Sequence, residues 1–531
     1  MGIALKTHDL RHQNGVKRAA CGGGAGAGDA IRLPAAIAGT FLLVHRSLAR
    51  IADDAAVPVA GSMGRAVLVA PHRILPASSG RAKRMQVEQA SGRVSTGRVK
   101  QGEWRAVAIS FVCFFCVLAA YYVIRPVREQ LSAAVGSTQL PWFYAATFIA
   151  TLVLTPVFAA FASRWPRRKL VPLVYLFFIA CQLAFIPAFT HLGLLSPRML
   201  GTVFFVWVSV FNLFVVSVFW IFMSDIWSLE QSKRLFPIIA VAGTLGALVG
   251  PALTRSLVEV IDVAPLLAVS ATLLGIATVC VVLLGHWASA HGARRHEAGH
   301  EDAIGGSMWD GLKQIFTDPF MRGMAILLLL ADGIGTVNYA LMVDYSGATF
   351  ADAVSRTRFH ADVDLAGNLL TVVVQLGVTR WLLPWKGPGA LIMLWASISI
   401  AVLLLVVFSH DPHAPLFSLP ILIGPIAPTV LALVVSRGLA YGMAEPARHS
   451  LYTRVPRSVR YKGQNAVDTA VWRFGDVAIA TGMNGLKSLG MAIGGFAAIS
   501  ATAALLAAGI GWRLWKRIEY VGAAVSSADQ R

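Results

Sequence analysis

Long apolar runs dominate the chain from Trp104 onward, and short polar segments separate them. A membrane-spanning helix needs about 20 predominantly apolar residues. By that measure the pattern predicts twelve helices, at residues 106–124, 141–162, 170–190, 199–223, 237–257, 262–288, 319–343, 364–384, 389–409, 419–441, 466–486 and 489–511. The eleventh is the least apolar, because it contains Asp468, Arg473 and Asp476. The predicted fold class is an all-α integral membrane protein with twelve transmembrane helices.

A polar segment at residues 289–318 divides the predicted helices into two groups of six. A short internal repeat agrees with this division, since Ser163-Arg164-Trp165 follows the second helix and Thr379-Arg380-Trp381 follows the eighth. Two six-helix halves in parallel relation resemble the major-facilitator type of transporter. We therefore expect an N-terminal half, a cytoplasmic loop, a C-terminal half and a cytoplasmic tail, at residues 105–288, 289–318, 319–511 and 512–531.

Residues 1–104 have a different character, with 15 Lys or Arg, six Asp or Glu and no apolar run long enough to span a membrane. Two interpretations remain open. The segment is a basic, disordered extension, or translation begins at Met85 and residues 1–84 are not part of the natural protein. A peptide from residues 1–80 in the natural protein would exclude the second interpretation.

Composition excludes an ordinary soluble enzyme or DNA-binding protein. Only 14% of the residues are charged and 56% are hydrophobic, whereas about 25% of residues are charged in soluble domains. The net charge of +19 reflects topology: eighteen Lys or Arg lie in the connections on one side of the predicted helices and five to seven on the other. By the positive-inside rule both termini are cytoplasmic, and we expect a bacterial inner membrane.

The sequence contains no nucleophile elbow, metal-binding HExxH or phosphate-binding loop. We therefore expect no enzymatic activity, metal, cofactor, nucleic acid or protein partner. The expected partners are the lipid bilayer and a small anionic substrate, because the remaining candidate groups are ionisable residues within helices. Such residues are costly in a membrane and face a cavity, pair with each other, or do both.

Tyr121, Arg125 and Arg128 form the first candidate group, at the end of the first helix. Their i, i+4 and i+7 spacing places them on one helix face. Two guanidinium groups there could hold the oxygens of an anionic substrate. The alternative is that both arginines extend to the membrane surface and only anchor the helix.

A second candidate group occupies helices ten and eleven, where Arg437, Tyr441, Glu445 and Arg448 recur at near-helical spacing. Lys462, Asp468, Arg473 and Asp476 follow. Basic residues in a loop also favour its cytoplasmic location. This effect accounts for the four basic residues from Arg454 to Lys462. In helix seven, Asp332 is either a proton-coupling carboxylate or the buried partner of an arginine.

Helices ten and eleven resemble those of the ATP/ADP translocases of plastids and obligate intracellular bacteria. The family segment DPxKExAY is similar to Glu445-Pro446-Ala447-Arg448 followed by Tyr452, and KGKAxxDxxxxRxGK is similar to Lys462-Gly463, Asp468, Arg473 and Gly475. Arg125 and Arg128 occupy the basic positions of the family's LRDxKD. Phe219-Trp220, Lys233-Arg234 and Pro237 resemble its FWxF…KRFYP. The resemblance implies a major-facilitator-like exchanger of adenine nucleotides.

The departures from that pattern reduce the positive charge. Arg448 replaces a family Lys and His449 a Glu, while Gln464 and Asp476 each replace a Lys. Leu341 and Met342 stand near the family's Glu in helix seven.

The leading prediction is a secondary transporter of an anionic metabolite, with ATP/ADP exchange as its most specific form. Arg125, Arg128 and Arg448 would contact the anion, with Tyr121 and Lys462 beside them. Glu445, Asp468, Arg473, Asp476 and Asp332 would serve gating or coupling. One alternative is a proton-coupled major-facilitator transporter of another small molecule. Another is a membrane sensor or scaffold that keeps the carrier fold without transport.

Overall fold

The computed structural model describes residues 102–165, 167–190, 196–290, 313, 315–419, 424–452, 464 and 467–529. The predicted N-terminal extension up to residue 101 and most of the middle loop lie outside the described residues. The described part of the chain is almost entirely helical.

Twelve helices account for this part of the structure. The first six are α1 Trp104–Val135, α2 Leu140–Arg164, α3 Arg167–Thr190, α4 Pro197–Ile226, α5 Leu229–Ile261 and α6 Pro265–Ala290. The other six are α7 Pro319–Thr349, α8 Ala353–Val374, α9 Arg380–Phe408, α10 Pro428–Leu439 with its continuation Glu445–Tyr452, α11 Trp472–Ser488 and α12 Ile493–Asp529. Within these described residues, nine helical stretches are long and apolar enough to cross a membrane.

Proline and short polar side chains determine where several helices begin. Ser196 accepts a hydrogen bond from the backbone N–H of Met199 (3.2 Å) immediately before Pro197. Asp352 accepts one from Ser355 (2.7 Å) at the start of α8, and this bond lowers the pKa of Asp352. These are N-caps, which satisfy backbone donors that a helix start leaves free.

The predicted tenth helix differs most from the structure. It was expected at residues 419–441, but α10 begins at Pro428. The apolar residues before it form an antiparallel hairpin of β1 Phe417–Leu419 and β2 Gly424–Ile426, with Phe417 opposite Ile426. Proline at position 425 has no backbone N–H and disfavours helix at the preceding residue, so apolar content here does not indicate a helix.

The bundle has two cores, one for each group of six helices. One consists of buried residues between Ala106 and Ala288, and the other of buried residues between Ile315 and Leu514. A smaller apolar cluster joins the two halves where α2 and α4 meet α7, α11 and α12. The two six-helix halves expected from the sequence are therefore confirmed.

The turns after the odd-numbered helices lie at one end of the bundle, which we call the closed end. Several hydrogen bonds and ion pairs between the halves lie between the middle of the helices and this end. They include the Asn368 amide donating to Ala247 (2.7 Å) and the Arg255–Asp362 ion pair (3.3 Å). These contacts join the two halves.

Glycines allow α1 and α5 to approach backbone to backbone. A Cβ at Gly246 would lie 2.5 Å from the carbonyl oxygen of Phe115, and one at Gly250 would lie 2.9 Å from that of Ala119. Small residues four apart permit such contacts between membrane helices.

Gly246→Ala is expected to destabilise the N-terminal half by about 1–3 kcal/mol, because the added methyl group would force the two backbones apart. The measurement is the thermal unfolding midpoint in detergent. Gly275→Ala is the control, since its Cβ would meet no atom within 4 Å. Equal midpoints for the two variants would contradict the close α1–α5 contact.

Candidate functional site

A cluster of buried charged residues lies on α1, near the middle of the membrane part. Helix α1 continues through Arg125 and Arg128 to Val135, so both arginines lie within the bundle. Arg128 donates to Glu129 (2.5 Å) and to Ser209 of α4 (3.3 Å). Tyr339 of α7 donates its hydroxyl to the second oxygen of Glu129. The arginines therefore do not extend to the membrane surface, and Glu129 connects the two halves.

Asp364 of α8 extends this cluster into the C-terminal half. Its Oδ1 atom forms an ion pair with Nη1 of Arg125 (3.0 Å) and accepts a hydrogen bond from Nη1 of Arg437 of α10 (3.1 Å). Arg125 also places its Nε atom 3.5 Å from Glu129. One connected set of ion pairs, which we call the central cluster, thus comprises Arg125, Arg128, Glu129, Asp364 and Arg437.

The central cluster has more positive than negative groups. It contains three guanidinium groups and two carboxylates, and both carboxylates have almost no exposed surface. Buried ions are stable only when opposite charges and hydrogen bonds compensate them. The cluster therefore favours an additional negative charge.

Aromatic rings surround the cationic side of the cluster. The guanidinium carbon of Arg125 lies 5.7 Å from the ring centre of Tyr122, and that of Arg128 lies 4.7 Å from Phe205. Tyr121 is buried and packs edge-on against Tyr122, with 5.0 Å between ring centres. Cation–π contacts of this kind stabilise guanidinium groups away from water.

The sequence pattern predicts Arg125 and Arg128 as site residues. It gives no role to Asp364 and does not assign Arg437 to the site. A signal was present, because a buried arginine requires a carboxylate partner. Helical spacing identifies residues on one helix only. It does not show that α1, α8 and α10 meet, so the partner was not identified.

Arg448 is the centre of a second cluster, at the end of α10. It donates to both oxygens of Glu445 (3.1 and 2.5 Å) and to Asp468 (2.6 Å) at the start of the eleventh helix. His449 contacts the same Glu445 (3.1 Å), and Gln464 lies 3.4 Å from Asp468. Lys462, the remaining candidate of this group, lies outside the described residues.

A small cavity adjoins this second cluster. It lies within the C-terminal half between α7, α9 and α10, and Glu445 and Arg448 line it beside Trp395. Arg448 is therefore paired with two carboxylates rather than directed freely at the space between the halves.

Asp332 and Asp476 form a third group, between α7 and α11. The two carboxyl groups lie close to each other. Thr336 donates to Asp476 (3.2 Å), and Arg473 lies 3.7 Å from it. Both candidate coupling residues thus occupy one site.

Three π-helical turns interrupt the C-terminal helices beside these groups, at Gln375–Thr379, Ala440–Ala444 and Val467–Val471. Gln375 donates to the carbonyl of Tyr441 (3.2 Å) and Thr379 to that of Gly442 (2.6 Å). Such turns are frequent at functional sites because they leave carbonyl groups free and re-aim side chains. Apolar periodicity did not predict them.

No group of three or more His, Cys, Asp or Glu side chains that could hold a metal ion occurs within the described residues.

A comparison with protein families matches residues 107–480 to the Major Facilitator Superfamily. The chain belongs to this superfamily. The match spans both six-helix halves, so the major-facilitator-like fold expected from the sequence is confirmed and the protein is a membrane transporter by family and fold. The ATP/ADP translocase assignment receives no such support, and a comparison with curated proteins gave no match.

Solved major-facilitator structures have the same fold. The nucleoside transporter NupG has a TM-score of 0.53 and 14% identity, with 78% of this chain and 99% of NupG covered. A bacterial homologue of the iron transporter ferroportin in an inward-facing state has a TM-score of 0.51 and 14% identity, covering 77% and 98%. The inward-open xylose transporter XylE from E. coli has a TM-score of 0.50 and 13% identity, covering 77% and 96%. At such identities the similarity concerns the fold.

In this major-facilitator bundle, polar contacts between the halves extend to the turns of the closed end. Lys487 of α11 donates to Asp344 of α7 and to Ser137 (2.5 Å), which follows α1. Asp344 also accepts from the hydroxyl of Ser137 (2.9 Å). These contacts stabilise the conformation in which this end is closed.

Lys487→Met is expected to shift the protein away from this conformation about fivefold, because a partly exposed ion pair contributes up to about 1 kcal/mol. The measurement is the distance between spin labels at residues 260 and 489, both exposed at the closed end. Arg198→Met, at another exposed cation of the same end, is the control. An unchanged distance distribution in Lys487→Met would contradict a gating role.

Proposed function

We propose that the protein is a secondary transporter that carries a small anionic metabolite through the space between its halves by alternating access. The central cluster is the observation that supports this proposal. It contains more guanidinium groups than carboxylates and includes residues from both halves: Arg125 from α1, and Asp364 and Arg437 from the C-terminal half. An anion that binds to this cluster changes the balance of charge in the contacts between the halves. These contacts must rearrange when the transporter changes conformation.

Alternating access requires a substrate to interact differently with the two conformations. The Arg125–Asp364 and Tyr339–Glu129 contacts both join the halves, and their geometry depends on how the halves are tilted. We infer that an anion between the halves competes with Asp364 for Arg125 and Arg437.

Adenine nucleotide exchange is one candidate within this proposal. The resemblance in helices ten and eleven supports it, and NupG, which shares the fold, is named a nucleoside transporter. The experiment is uptake of labelled ATP into proteoliposomes, with and without internal ADP. Uptake that depends on internal ADP would support exchange of nucleotides. No uptake by folded protein would exclude nucleotides and leave anion transport to be tested with other metabolites.

A second candidate is proton-coupled transport, and the contact between Asp332 and Asp476 favours it. Like charges at short distance do not both ionise, so one carboxyl group of such a pair can take up and release a proton during transport. Transport of this kind would collapse on addition of an uncoupler, whereas nucleotide exchange would continue. Saturable, protein-dependent flux in either assay would exclude a sensor or scaffold without transport.

A further inference from the structure

Tyr441 lies one turn after Arg437 on α10, and half of its side chain is exposed. Arg437 contacts Asp364, which also pairs with Arg125 of the N-terminal half. Residues four apart share a helix face, so the exposed ring of Tyr441 lies on the side of α10 that faces the space between the halves.

Arg437, one turn before Tyr441, has donor groups directed at the same space. One fifth of its side chain is exposed, and its partner among the described residues is Oδ1 of Asp364, which Arg125 shares. A guanidinium group carries five N–H donors in a planar fork. Most of the hydrogen-bonding capacity of Arg437 is therefore available to a ligand.

The central cluster leaves one positive charge without compensation. It contains three guanidinium groups, those of Arg125, Arg128 and Arg437, and two carboxylates, those of Glu129 and Asp364. The excess charge therefore lies beside the partly exposed donors of Arg437.

His360, on the same face of α8 as Asp364, is a histidine near the central cluster. It is buried, and neither of its ring nitrogens has a hydrogen-bond partner within the described structure. A protonated imidazole would need such a partner, so the uncompensated charge is that of the arginines.

We propose that the substrate is a planar aromatic monoanion, whose negative group binds Arg437 and whose ring packs against Tyr441. This inference rests on the proposed function and specifies its substrate class. A guanidinium fork matches a carboxylate in geometry, and tyrosine rings stack on planar ligands. A nucleoside triphosphate, with about four negative charges, would bring several charges that the described residues near Arg437 do not compensate.

A series of compounds on similar rings tests the charge. Benzoate, nicotinate and indole-3-acetate carry one negative charge, phthalate carries two, benzamide carries none, and ATP represents nucleotides. Binding is measured as the shift in the thermal unfolding midpoint of the purified full chain and as a Kd by equilibrium dialysis. We expect at least one monoanion to bind tenfold or more tightly than phthalate, ATP and benzamide.

Two substitutions assign the binding to these residues. Arg437→Gln is expected to weaken the monoanion at least tenfold without lowering the unfolding midpoint of the ligand-free protein, because it removes the excess charge. Tyr441→Ala is expected to weaken it by less than Arg437→Gln, and Tyr441→Phe to leave it nearly unchanged, since stacking needs the ring and not the hydroxyl. Arg380→Gln is the control, since Arg380 is exposed and stacks on Trp381 without contacting the central cluster.

The other outcomes contradict the inference in distinguishable ways. Tighter binding of phthalate or ATP than of any monoanion, dependent on Arg437, would overturn the single charge and leave anion transport in place. Equal binding of benzamide would overturn both the inference and the proposed function. Binding of no monoanion, or binding unaffected by Arg437→Gln, would also overturn the inference.

Discussion

Asp364→Asn is expected to lower the free energy of unfolding by about 3–5 kcal/mol and to abolish transport. The substitution keeps the shape of the side chain and removes its charge. Asp364 is the carboxylate that Arg125 and Arg437 share, so its loss leaves three guanidinium groups with one carboxylate, that of Glu129. Removing one member of a buried ion pair costs this much because the remaining charge stays buried without a partner. The measurement is the unfolding midpoint in detergent, followed by flux in proteoliposomes.

Two variants test the electrostatic cause of this effect. Asp364→Asn combined with Arg125→Gln restores the original excess of one positive charge and is expected to regain part of the lost stability. Asp352→Asn, at the N-cap of the same helix, is expected to change stability by only a few tenths of a kcal/mol, because asparagine caps a helix as well as aspartate does. If the double variant were less stable than Asp364→Asn alone, charge balance would not be the cause.

Arg448→Ala is expected to reduce transport at least 100-fold with little loss of membrane insertion or folding. Arg448 connects α10 to the start of the eleventh helix through Glu445 and Asp468. These two carboxylates are partly exposed, so water can solvate them when the arginine is removed. The start of the eleventh helix loses its anchor, and we expect faster hydrogen exchange at Val467–Val471. The measurements are exchange of the anion that the wild-type protein carries and hydrogen exchange of this segment.

His449→Ala is the matched control for Arg448→Ala. His449 is the next residue, contacts the same Glu445 and is half exposed, so its removal is expected to leave transport within about threefold of wild type. Arg448→Lys keeps the charge but lacks the planar fork that reaches two carboxylates, and an intermediate rate is expected. Normal transport and unchanged hydrogen exchange in Arg448→Ala would show that the second cluster has no part in the cycle.

The apolar pattern predicted the number of helices and their division into halves, but not all of their ends. Helix α1 was expected to end at residue 124 and continues to Val135, and α8 was expected to begin at 364 and begins at Ala353. In both cases the additional turns are rich in polar and charged residues. Membrane helices retain such residues where neighbouring helices provide partners, and a hydropathy window does not include those partners.

Within the candidate site, the sequence identified the cations more reliably than their environment. Arg125, Arg128 and Arg448 were selected because arginine is rare and costly in apolar helices, and all three are buried or nearly so in ion-pair clusters. Their roles as direct contacts of the substrate remain predictions. Arg437 and Tyr441 border the space between the halves. The sequence identified them only as members of a helical pattern.

The amino-acid sequence by itself determined that the chain is a twelve-helix membrane protein in two halves, because burial in lipid demands long apolar runs that local composition reveals. It also identified the arginines whose burial in apolar helices costs enough free energy to require ionic partners or a function. The tertiary structure alone decided that Asp364 lies between Arg125 and Arg437, that Asp332 meets Asp476, and that Ser137 of one half contacts Asp344 of the other. Each of these contacts depends on how separate helices pack against one another, and pairs distant along the chain leave no periodic signal within any single helix.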